Sequence, residues 1–238
     1  MNLFADAIAW LLDPAHYGGS NGIEVRTVEH LWISLVSLVI AAAIAIPAGF
    51  LIGHTGRGKG IAVLVSGGVR ALPTLGLISI LGLTIGIGVG APIISFVVLA
   101  IPSILAGAYA GFEAVDRRTI DAARASGMTE WQIVSRVELP LGLPLLMGGI
   151  RSATLQIIAT ATLAAYISGG GLGSFIFLGL RTNDYSQMLA GSILVIVLAI
   201  VFEGVFAVLQ RLVVPAGVRA GQRKDVRSGS PRSRAAAA

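Results

Sequence analysis

At 238 residues, with 55% hydrophobic and only 12% charged side chains, the chain has too few polar residues to cover a water-soluble domain of this size. Its apolar residues come in unbroken runs of spanning length, so the solvent they suit is lipid. The formal charge of +5 lies between those runs and in the tail rather than along one polar helix face, which argues against a nucleic-acid partner, and zero cysteines with three scattered histidines argue against disulfides and metal sites.

Residues 1–30 read as an amphipathic segment preceding the first span. Met1 to Leu12 is apolar at Leu3, Phe4, Ile8, Trp10, Leu11 and Leu12, but no Lys or Arg precedes it and Asp6 and Asp13 flank it, which is not the pattern of a signal peptide. An interfacial helix anchored by Trp10 fits, and so does a poorly ordered start.

Five runs follow that can cross about 30 Å of hydrocarbon: 31–53, 61–83, 91–112, 141–167 and 188–214. Together, 31–214 reads as an all-α membrane domain of about five transmembrane helices. Pro73 in the second run and Pro102 in the third predict kinks. Between the third and fourth runs hydropathy collapses over 113–140, a charged insert with an amphipathic helical rhythm. Ser168 to Leu180 is glycine-rich, too short and flexible to cross alone, and is expected to dip into the protein or the membrane edge.

The basic residues set the orientation. Arg57 and Lys59, the insert's Arg117, Arg118, Arg124 and Arg136, and the tail from Arg211 fall on one side; Arg26 and Arg181 remain on the other. The positive-inside rule makes the first side cytoplasmic, with the N-terminus outside and the C-terminus in the cytoplasm. Residues 215–238 read as a basic, disordered cytoplasmic tail whose charge can also hold it near anionic lipid.

The insert carries the most specific pattern. Asp121-Ala122-Ala123 is followed after three residues by Gly127, after nine more by Val137, and after one more by Leu139-Pro140. Asp121 can complement a helix start, the two alanines let another protein approach closely, and Gly127 permits a turn that residues with a Cβ resist. A short helix, a break and a second helix are predicted, with Trp131, Ile133, Val134 and Val137 packing beneath the bundle and Pro140 at the entry to the fourth span.

This spacing resembles the EAA coupling loop of binding-protein-dependent ATP-binding cassette importers, with Asp for the usual Glu and Val for the usual Ile. Ala71-Leu72-Pro73-Thr74-Leu75, Leu139 to Pro144, Gly149-Ile150-Arg151, Ala159 to Thr162 and Gly169 to Gly173 are similar to permeases of the osmoprotectant branch, which carry glycine betaine, carnitine, choline or related compounds. Arg70 and Ala71 depart from the polar residue and Thr expected before that proline, and the methionine-importer branch shares the glycine-rich segment. The resemblance implies a type I importer permease-like fold and a cytoplasmic-membrane location. It implies ATPase coupling through Asp121, Ala122, Ala123, Gly127, Val137, Leu139 and Pro140. It also implies cytoplasmic ATPase subunits that bind ATP and Mg, an external solute-binding protein, and a second permease copy or a homologous permease.

No ATP site is expected in the chain itself. Gly53-His54-Thr55-Gly56-Arg57-Gly58-Lys59-Gly60 has the glycine and lysine spacing of a P-loop, but Gly60 stands where Mg²⁺ binding needs Ser or Thr, and the stretch joins two spans. Arg70, Arg151 and Glu203 are ionisable residues within spans and so should face protein or water. Counted from the cytoplasmic ends at 1.5 Å per residue they lie about 13, 15 and 12 Å deep. An Arg151–Glu203 pair is therefore possible, either as a brace or beside the pathway, with Arg70 and Pro73 as further pathway candidates. Gly82, Gly86 and Gly90 predict close helix packing. A membrane-embedded enzyme, a channel or an ion-coupled carrier is the competing class, but no nucleophile, paired carboxylates, internal repeat or coupling-ion ligands mark one.

Overall fold

The computed structural model describes residues 2–214, so the basic tail expected over 215–238 lies outside the described residues. Every described element is helical. In hydrocarbon this is the backbone form that bonds its own polar groups within one segment.

Helix α1 (Leu3–Leu12) is capped by the Asn2 side chain and docks against the last helix of the bundle. Trp10 stacks on the His16 ring at 3.8 Å and meets Phe175 edge-on at 5.4 Å. With Leu11 it packs on Ile23, Leu172, Phe175 and Val195.

Helix α2 (Ile23–Thr55) has 33 residues, about 50 Å of helix. It begins eight residues ahead of the apolar run at Leu31, because Glu24, Arg26 and Glu29 extend the helix beyond the hydrocarbon stretch. Gly56, at φ +70°, ends it.

In the second span, expected over 61–83, the kink predicted at Pro73 is a full break. The span divides into α3 (Lys59–Arg70) and α4 (Thr74–Ile85), bent by 85°. Pro73 explains the break: it has no N–H to continue the ladder and disfavours helical geometry at Leu72. Arg70 is the last residue of α3, so the break falls just beyond it.

Helix α5 (Gly90–Glu113) continues through Pro102 and is the most buried span. Helices α6 (Arg117–Ala125) and α7 (Glu130–Ile133) form the insert, and a π-turn over Val134–Glu138 leads into α8 (Leu139–Thr160). The wide turn falls where Pro140 withholds the N–H that would bond the Arg136 carbonyl. Helix α8 tightens into a 3₁₀ segment, Ala161–Ile167. The glycine-rich stretch then forms a helix, α9 (Gly173–Thr182), rather than staying flexible throughout, and α10 (Tyr185–Val213) closes the described chain.

Helix α5 is the centre, packed between α2 and α8 around Ile33, Ala45, Phe96, Ile104 and Ile157. Where it crosses α8 the backbones touch. A Cβ on Gly111 would lie 2.6 Å from the Gly142 carbonyl oxygen, and one on Gly107 2.7 Å from that of Leu145. Close approach thus uses Gly107 and Gly111, four residues apart, against Gly142 and Gly149. Of the glycines expected to do this, only Gly82 is closely packed, against the Ile167 side chain. Gly90 comes no nearer than 4.0 Å to Ile85, and Gly86 sits in open space at φ +105°, ending α4.

Candidate functional site

The charged insert folds as a small unit with its own apolar seam. Val115, Ile120 and Ile133 are buried together, with Ala123, Met128 and Val137 against them. Asp116 starts α6 by accepting the Arg118 N–H at 2.9 Å; Asp121, expected to serve a helix start, lies within the helix and exposed, 3.5 Å from Arg124. Ala122 is exposed and Ala123 half-buried, so α6 turns its small-residue surface outward.

Gly127 makes the elbow. At φ +83° it sits just beyond the end of α6, where its N–H bonds the Arg124 carbonyl at 2.9 Å and the Met128 N–H bonds that of Ala123 at 3.2 Å. Those two bonds form a Schellman stop, and Met128 and Ala123 supply its apolar contact. A Cβ at Gly127 would meet nothing within 4 Å, so the left-handed backbone, not space, demands glycine. Thr129 and Gln132 form a reciprocal capping box that restarts the chain as α7. Ile133 is fully buried; Trp131, expected beneath the bundle, is 77% exposed. Val137, Leu139 and Pro140 are half-buried at the entry to α8.

Polar contacts lock the insert in place. Arg124 donates to both oxygens of Glu130, from Nε at 2.7 Å and Nη2 at 3.0 Å, which raises its already high pKa further. His54, in the last turn of α2, meets Glu138 and Glu130. Lys59, at the start of α3, donates to both oxygens of Glu113 at 2.6 and 2.7 Å. The glycine turn over 56–58 thus joins α2 to α3 on the insert's side of the bundle, with Gly56 and Gly58 both at positive φ.

Arg151 on α8 and Glu203 on α10 are brought together: Nε donates to Oε2 at 2.7 Å and Nη2 reaches Oε1. Both are half-buried. Arg70 is not part of this pair. It stands exposed at the break before Pro73, which precedes α4 at ψ 116°, and makes no ion pair among the described residues.

Several features escaped the sequence reading. His54 and Glu138 had no pattern to tie them, although a carboxylate next to Leu139-Pro140 is a signal in itself. Gly107 and Gly111 do carry the close-packing spacing. At the opposite end of α2, Glu29 accepts the Gly171 N–H at 2.9 Å and Arg26 at 2.7 Å, tying the glycine-rich segment to α2.

Residues 45–216 match the family model described as binding-protein-dependent transport system inner membrane component. The glycine betaine/carnitine/choline transport system permease protein OpuCB of Bacillus subtilis is 34% identical over 202 residues, covering 84% of this chain and 93% of its own. The osmoprotectant import permease protein OsmW of Salmonella typhimurium is 32% identical over 222 residues, 90% of this chain and 100% of its own. Among solved structures, an inward-facing MetNI methionine ABC transporter chain aligns with a TM-score of 0.71 at 24% identity, covering 81% of this chain and 97% of that chain.

Proposed function

The chain belongs to the family of binding-protein-dependent transport system inner membrane components, and from that membership we propose that it conducts a small osmoprotectant across the cytoplasmic membrane in an ATP-driven importer. Glycine betaine, carnitine, choline and proline betaine are the solute class, supported by the relatives named above, two of which are described by such cargo. The likeness to the methionine transporter is one of fold and carries no solute.

In this reading ATP and Mg are held by cytoplasmic partner subunits, an external binding protein delivers solute, and a second copy or a homologous permease completes the passage. The insert lies on the cytoplasmic side, the N-terminus outside and the tail inside, as the loop charges require. Asp121, Ala122, Ala123 and Gly127 meet the ATPase, while Val137, Leu139 and Pro140 join that contact to α8. Arg70 and Pro73, at the 85° break, border the passage, and the Arg151–Glu203 pair stands beside it.

The observation that carries this reading is the exposed Ala122 surface held at a fixed angle by Gly127, whose positive φ faces open space. Gly127→Val strains that elbow by about 1–2 kcal/mol without a clash, and Gly127→Asn tolerates the same backbone far better. In proteoliposomes holding the whole importer, Val should abolish solute uptake while the complex still assembles, and Asn should retain most of it. Uptake by Gly127→Val at the wild-type level would contradict the assignment.

A further inference from the structure

His54 stands between two carboxylates carried by the insert. Its Nδ1 is 2.6 Å from Glu138 Oε2 and its Nε2 is 3.3 Å from Glu130 Oε2. The two acceptors differ: the Glu138 side chain is 2% exposed and that of Glu130 56%, so one is locked inside and the other sits at the rim. The Glu138 contact is a hydrogen bond, while Glu130 lies within ion-pair distance of Nε2. The neighbouring charges are already engaged. Arg124 holds Glu130 and approaches Asp121, while on α5 Glu113 is taken by Lys59, whose Nζ lies 6.0 Å from the Tyr109 ring.

A buried carboxylate is a costly anchor, since apolar side chains of similar volume hold two elements together as well or better. What the charged arrangement adds is direction and a fixed register between the end of α2 and the start of α8. Helix α2 runs unbroken from Ile23 to Thr55, and its far end grips the glycine-rich segment through the Glu29 to Gly171 bond. One helix therefore touches the insert through His54 and that segment through Glu29, about 38 Å apart along its axis.

We propose that His54 is a positioning residue that clasps the insert to α2 through Glu138 and Glu130, so that movement imposed on the insert is carried along α2 to Gly171. This rests on the insert being the contact for the ATPase.

The experiment uses the assembled importer with its ATPase, trapped with ATP and vanadate, and reads amide exchange at 168–172. In the wild type, trapping should change exchange there by about five-fold or more. His54→Leu with Glu138→Met replaces the clasp by an apolar pair that keeps the fold, and the response should vanish although melting temperature is retained. His54→Lys made alone, with Glu138 intact and donors for both carboxylates, should keep the response. A double variant that folds, assembles and keeps the full nucleotide response overturns the proposal, as does a wild type with no response. A wild-type chain that binds no ATPase would instead overturn the transport reading itself.

Discussion

Single residues set the closest contacts in this bundle. Gly111→Ala would place a methyl 2.6 Å from the Gly142 backbone, and α5 and α8 must part to admit it. A loss of about 1–3 kcal/mol is expected, read as a lower melting temperature in detergent. Gly148→Ala is the control: with nothing within 4 Å of the added Cβ, it should be neutral or gain about 0.5–1 kcal/mol. Equal losses at the two sites would refute the packing account. The Arg151–Glu203 pair invites a double-mutant cycle. Glu203→Gln leaves the guanidinium without its carboxylate and should lower stability, and adding Arg151→Gln should recover part of it. Uptake then separates a brace, which recovers transport too, from a pathway pair, which stays inactive. That contact was legible in the sequence because two charges within apolar runs at similar depth have few alternatives to each other. His54 was not, because its hydrogen-bond partner Glu138 comes from 84 residues away and no spacing announces it.

At the scale of elements, the apolar runs mark the membrane-crossing helices well because lipid enforces both their length and their composition. Their breaks are less legible. Pro73 and Pro102 look alike in sequence, yet the first splits a span by 85° and the second sits inside an unbroken, buried helix. The difference is support. Helix α5 is packed from both sides by α2 and α8, which keeps it helical past a missing hydrogen bond, whereas α3 is exposed along Ile61, Val63, Leu64 and Val65. The insert's helix, break and second helix were legible from Gly127, whose Schellman stop is local chemistry, whereas the Thr129–Gln132 box escaped the sequence reading. Replacing Thr129 by Ala removes that box and should cost about 0.5–2 kcal/mol of local stability, seen as faster amide exchange over 130–133. Unchanged exchange would show that burial of Ile133 alone holds α7.

For the molecule as a whole, the loop charges predict an external N-terminus and a cytoplasmic tail. The native chain has no cysteine, so single cysteines introduced at Ser20 and Ser230 report cleanly. In intact cells an impermeant reagent should label the first and spare the second; the opposite pattern would invert the topology. The most direct test of the central claim is reconstitution: this chain with its ATPase and binding protein in proteoliposomes, measuring radiolabelled glycine betaine uptake against ATP hydrolysed. Uptake that requires ATP, the binding protein and an intact Gly127 elbow is the predicted result. Uptake that proceeds without the ATPase, or hydrolysis with no uptake of any betaine, carnitine or choline, would contradict it.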